Sequence, residues 1–119
     1  MNNIIDSQII LKIYNTIRSL GLNTSLKGTK FLNKVIQIII SSDNEFYCLE
    51  NIYSQLTIYF PEYSSTQIRN YIKYALDNRN ISLCQKNFEK IFGFEYDEYL
   101  FVNKTIIEEI LNVIQLESI

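Results

Sequence analysis

Along almost the whole chain, apolar residues return every three or four positions, the spacing that lays one greasy stripe along an α-helix. Ile9, Ile10, Ile13, Ile17 and Leu20 form the first stripe, so a helix is expected over Ile4 to Leu20, stopped by Gly21. Leu22 to Gly28 reads as a short connection. Phe31, Leu32, Val35, Ile36, Ile39 and Ile40 give a second helix that ends at Ser41-Ser42-Asp43-Asn44. Leu49, Ile52, Tyr53, Leu56 and Phe60 give a third, halted by Pro61, which cannot continue a helix. In the fourth, Ile68, Tyr71, Ile72, Ala75 and Leu76 share one side, and Asp77-Asn78-Arg79-Asn80 closes it. Leu83, Phe88, Ile91 and Phe92 suggest a fifth, with Gly93 placed to end it in a left-handed conformation. Glu95 to Phe101 alternates acidic and aromatic residues and fits either an extended loop or a small strand. Asn103 is expected to cap a last helix bearing Ile106, Ile107, Ile110, Leu111 and Ile114. The expected fold is all-α: one compact six-helix domain over residues 1–119.

Composition supports that reading. With 47% apolar residues in 119, the chain can bury one core, and three Gly with one Pro are too few for a turn-rich sandwich or barrel. Apolar runs such as Ile38-Ile39-Ile40 are far short of a membrane span, and Met1-Asn2-Asn3-Ile4-Ile5-Asp6 lacks the basic start of a signal peptide. A cytoplasmic protein without a membrane partner is expected. Cys48 and Cys84 are isolated thiols among apolar residues, without metal-ligand spacing, so core packing is expected of both.

The fourth helix carries the candidate chemistry. Ser64, Ser65 and Thr66 can each accept from the free amides of its first turn. Opposite its apolar side stand Thr66, Asn70, Lys73 and Asp77, flanked by Gln67, Arg69 and Tyr74. Two short helices in this order, the second presenting Gln, Arg, Asn and Lys, suggest a helix-turn-helix that reads DNA. The same pattern also fits a plain helical hairpin with a solvated polar face. Were it a reader, Arg69 and Lys73 would contact phosphate or guanine, while Gln67 and Asn70 could pair with adenine edges. Ser65 and Thr66 would hold a phosphate at the helix N-terminus. Lys27, Lys30 and Lys34 could add backbone contacts, or simply be solvated.

Charge cuts both ways. The formal net charge is −2, which counts against a general nucleic-acid binder. Yet residues 1–42 sum to +4 and residues 80–119 to −4, so a cationic face can exist. An enzyme is not expected. The chain has no His to activate a Ser or Cys nucleophile, and Glu108 and Glu109 are neighbours on a helix that cannot face each other across a substrate. Lys27-Gly28 lacks the Gly-rich lead of a phosphate-cradling loop. No metal or other cofactor is expected.

Four segments in order resemble the C-terminal effector domain of the sporulation response-regulator family typified by stage-zero sporulation protein A. They are Leu20-Gly21-Leu22 with Leu26-Lys27-Gly28-Thr29-Lys30-Phe31-Leu32, then Ser65 to Leu76, then Ile91-Phe92-Gly93-Phe94, then Asn103-Lys104-Thr105-Ile106-Ile107. Together they span about residues 10–116. The resemblance implies six helices, a helix-turn-helix in the third and fourth, and binding to promoter double-stranded DNA. It also implies a dimer or tandem pair and contact with RNA polymerase. Gln67, Asn70 and Tyr74 stand where family members tend to carry Arg or His, and Pro61 belongs to a longer turn. The receiver domain that precedes this module in the family is expected to be absent, leaving a stand-alone regulator.

Two rival readings remain. One is a protein-interaction module whose acidic, aromatic 95–101 segment and last helix bind a partner, for instance a full-length regulator. The other is a plasmid or phage accessory protein that binds one DNA site.

Overall fold

A computed structural model of the chain describes residues 7–42 and 47–117, and every regular element among them is helical. The elements are α1 (Ser7–Ser19), α2 (Lys27–Ser41), α3 (Leu49–Tyr59), α4 (Ser65–Asp77), α5 (Ile81–Phe92), a 3₁₀ turn (Glu98–Leu100) and α6 (Asn103–Glu117). The expected start of the first helix at Ile4, and Asp43-Asn44 after the second, lie outside the described residues.

Most of the stripes read from the sequence become the core; Ile10 and Tyr71, read as part of the first and fourth stripes, are instead exposed at the edges of their helices. Ile13, Ile17, Leu20, Leu32, Val35, Ile36, Ile52, Leu56, Ile68, Ile72, Leu76, Ile106, Ile107 and Ile110 are all withdrawn from solvent. Burying such side chains stabilises the fold by about 1.5–3 kcal/mol each before the cost of ordering them. α2 is the hub, touching α1, α3, α4 and α6, and its most extensive contact is with α4.

Two glycines permit this closeness. At Gly28 a Cβ would collide with the Tyr71 carbonyl of α4 and press on the Ala75 Cβ, so only a bare backbone fits. Gly21 has φ +88°, a conformation that side chains resist, and its carbonyl accepts from the Asn80 N–H at 2.8 Å. That bond joins the α1–α2 connection to the α4–α5 connection.

Several expectations are corrected. Lys27 and Gly28 belong to the first turn of α2, not to the preceding connection. The 95–101 segment is neither a strand nor fully extended: Asp97 accepts from the Tyr99 N–H and closes a 3₁₀ turn. Cys84 is buried as expected, whereas Cys48 is exposed, because it precedes α3 and points away from the core. Leu83 is 38% exposed, since it lies in the first turn of α5, on its outer side. Asn103 does not cap α6. Its Nδ2 donates to the Tyr53 hydroxyl and to the Arg69 carbonyl, both at 3.1 Å, tying α6 to α3 and α4. Gly93 does end α5 in the left-handed conformation, with φ +83°.

Candidate nucleic-acid interface

α3 and α4 pack against each other across a five-residue turn from Phe60 to Ser64. The turn delivers Ser64 as the N-cap of α4. Its hydroxyl accepts from the Gln67 N–H at 3.1 Å, and the Gln67 Oε1 accepts from the Ser64 N–H at 2.8 Å. This reciprocal box satisfies two polar groups that a helix start leaves open. Ser64, then, does the capping that Ser65 and Thr66 could also have done. Among the described residues, the backbone N–H groups of Ser65 and Thr66 have no protein acceptor.

The apolar side of α4 is the inner one: Ile68, Ile72, Ala75 and Leu76 are buried against α2 and α3. The polar residues face out. Thr66, Gln67, Arg69, Asn70, Lys73 and Tyr74 are exposed and Ser65 is half-buried. Tyr71 marks one border, where it meets α2. Gln67 is only partly available, because its carbonyl oxygen already accepts one bond in the cap, while its amide NH₂ is unbonded.

The cations are not equivalent. Lys73 Nζ lies 2.8 Å from Asp77 one turn on, and Arg69 Nη1 lies 3.9 Å from Glu50 of α3. Both pairs are solvated, so each holds its partner weakly. Lys27 sits on the other side of α4, its ammonium 5.2 Å from the centre of the Tyr63 ring and 5.8 Å from that of Tyr71. A hydrogen bond to Tyr63, and then the charge that Tyr63 can carry, hold the Lys27 pKa above its ordinary value. Lys30 is exposed one turn along α2. Lys34 packs its ammonium 4.3 Å from the Tyr59 ring centre, at the end of α3. Arg69 and Lys27 therefore flank α4 on opposite sides, Lys27 with Glu62 near it, while Glu50 lies beside Arg69 and Asp77 at the C-terminal end.

Between α3, α4 and the start of α6 is a cleft of about 420 Å³. Leu49, Tyr53, Phe101 and Val102 supply its apolar wall, and Arg69, Lys73 and Lys104 stand on its rim. Burial pushes the Tyr53 hydroxyl above its ordinary pKa, against the opposing hydrogen bond from Asn103.

Sequence reading missed one residue here. Arg79 was read only as part of the segment that closes the fourth helix, yet it is only 9% exposed. Its guanidinium lies 3.7 Å from the centre of the Phe101 ring and donates to the Leu76 carbonyl and the Tyr96 hydroxyl. The clue was the aromatic run Phe94, Tyr96, Phe101 downstream, which offered a guanidinium something to stack on. Which of Ser64, Ser65 and Thr66 caps α4 was legible too, since the spacing Ser64-x-x-Gln67 just before an apolar run is the signature of a capping box.

Among the described residues, no group of three or more His, Cys, Asp or Glu side chains is placed to hold a metal ion. No helix among them is long and apolar enough to cross a membrane. Compared with protein-family models, curated protein sequences and solved structures, the chain matches none.

Proposed function

We propose that the chain binds double-stranded DNA through α4, as a transcriptional regulator of the kind its sequence resembles. The observation that supports this is the outward face of α4. Thr66, Gln67, Arg69, Asn70, Lys73 and Tyr74 are all exposed, and Lys27 and Lys30 are exposed on α2, whose first turn packs against α4. A helix enters the major groove by such a face, with α3 lying across the backbone as the first half of a helix-turn-helix.

The roles follow from the chemistry. Ser65 and Thr66 present unbonded N–H groups at a positive helix end, which suits a phosphate. Asn70, free on both sides of its amide, is the base reader and would pair with adenine N6 and N7, worth about 1–3 kcal/mol of discrimination. Gln67, its carbonyl oxygen already bonded in the cap, offers its amide NH₂. Arg69, Lys27 and Lys30 meet phosphates and set register. Asp77 would repel the backbone, so α4 enters by its N-terminal half. A cytoplasmic homodimer that contacts RNA polymerase completes the reading.

Selection from a random duplex library tests it. The reading requires enriched sites with a fixed adenine whose preference is lost in Asn70→Ala. Recovery of no sequence above background contradicts it.

A second reading, a protein-interaction module directed at a full-length regulator, draws on one feature. Tyr99, 83% exposed, stands among Glu95, Asp97 and Glu98, which are exposed too. An acidic loop with a projecting aromatic is suited to a basic protein partner. Capture of a defined basic protein, lost in Tyr99→Ala while no duplex is selected, would favour it.

A further inference from the structure

The cleft between α3, α4 and the start of α6 has the size of a small-molecule site, about 420 Å³, within the usual range of ligand pockets. Its three walls are held in place by one residue. Asn103 donates to both Tyr53 on α3 and the backbone of Arg69 on α4, so the cleft exists before any ligand arrives. Its wall is apolar, with Leu49, Phe101 and Val102 lining one side.

The charge on the rim is unbalanced. Three cations, Arg69, Lys73 and Lys104, face two acids, Glu50 and Asp77. Asp77 is engaged by Lys73 at 2.8 Å. Glu50 meets Arg69 through Nη1 alone at 3.9 Å, with the two side chains 48% and 66% exposed, so the planar fork of Arg69 is not filled by a bidentate partner. Lys104 has no ion-pair or hydrogen-bond partner among the described residues. An apolar floor beside one unmatched positive charge and an open guanidinium calls for one negative charge on an apolar body.

We propose that this cleft binds a small organic monocarboxylate with an aromatic or aliphatic body. The carboxylate is taken by Arg69 and Lys104, and the body lies on Phe101, Val102 and Leu49. A doubly charged phosphate fits less well, because the surplus is a single charge and the floor of Leu49, Phe101 and Val102 is apolar. Arg69, Asn70 and Lys73 belong to both the cleft and the outward face of α4. A bound carboxylate therefore competes with duplex DNA, a consequence that rests on the proposed DNA reading, whereas carboxylate binding itself does not.

The test is a titration of the full chain, followed by backbone amide NMR, with benzoate and hexanoate and with benzamide and hexanamide as uncharged controls. The expected result is saturable shifts confined to residues around Glu50, Arg69–Lys73 and Phe101–Lys104. The acids should bind about tenfold more tightly than the amides, the worth of one charge-assisted hydrogen bond. Lys104→Met, an exposed change that leaves the fold intact, should weaken benzoate by about the same factor and leave duplex affinity unchanged. Absence of saturable shifts up to about 10 mM, well above weak-ligand affinity, overturns the site. So do equal affinities for acid and amide, or binding unaffected by Lys104→Met. Carboxylate binding in a protein that shifts no DNA would sustain the cleft and sink the nucleic-acid reading instead.

Discussion

Gly28, in the first turn of α2, lies directly beneath the backbone carbonyl of Tyr71 in α4. That contact sets how closely the hub helix holds the candidate DNA-reading helix, and it leaves no room for a methyl group. Gly28→Ala gains about 1 kcal/mol of helix propensity but forces two backbones apart. We expect a net loss of about 1–3 kcal/mol in urea unfolding, the usual cost of overpacking a tight interface. A variant as stable as the parent would mean that α2 and α4 are not held this closely.

The capping box makes separable predictions for its two members. Ser64→Ala should cost about 1 kcal/mol, the ordinary worth of an N-cap. Gln67→Glu preserves the reciprocal bond and should stay within about 0.5 kcal/mol of the parent. The added charge faces outward at the end of α4 proposed to meet phosphate, so Gln67→Glu should weaken duplex binding without loosening the fold. Equal effects on both would remove Gln67 from the interface.

Among the described residues Arg79 is the buried cation, stacked on Phe101 and bonded to Tyr96. Tyr96→Phe leaves that guanidinium nitrogen without its side-chain acceptor and should cost about 1.5–3 kcal/mol, the scale of a hydrogen bond to a charged group. Chemical unfolding measures this directly. Unchanged stability would show that solvent reaches the guanidinium.

The hydrophobic spacing alone disclosed the order and type of all six helices, because each stripe is long and buried on one side. What it could not disclose were contacts between distant segments. Arg79 counts as a surface charge until Tyr96 and Phe101 fold over it. Asn103 reads as a cap until its side chain is found spanning to Tyr53 and Arg69. Cys48 sits among apolar neighbours in sequence yet falls just outside α3. For the candidate site, the outward Asn70 and Lys73 were legible from helical phase. The partial engagement of Gln67 and the pairing of Arg69 with Glu50 needed the geometry of the turn and of α3.

The two thiols should differ in reactivity. Burial raises the Cys84 pKa, against the opposing influence of Arg79, and keeps the sulfur from reagents. A thiol-specific reagent at neutral pH should modify the exposed Cys48 promptly and Cys84 only at the rate of unfolding. Simultaneous labelling would place Cys84 outside the core.

Stability should hardly change between about pH 6 and 8, where imidazole is the side chain that ordinarily titrates and the chain has none. Above that range it should fall. Burial raises Tyr53 and Cys84 in the folded state, so the unfolded chain loses those protons first. The contribution is intact below the unfolded values, about 8.5 for Cys and 10 for Tyr, and is lost as the pH climbs past them. Lys27, held protonated beside Tyr63, acts in the same direction. Thermal unfolding across this range provides the check, and a rise in stability at alkaline pH would contradict it.

The most direct test is the salt dependence of duplex binding by the wild-type chain beside Arg69→Ala and Lys73→Ala. A helix that docks by this face should lose affinity linearly in log–log form as salt rises, and each substitution should lower the slope by about 1. No salt-sensitive complex with any duplex, or slopes that both substitutions leave untouched, would contradict the account.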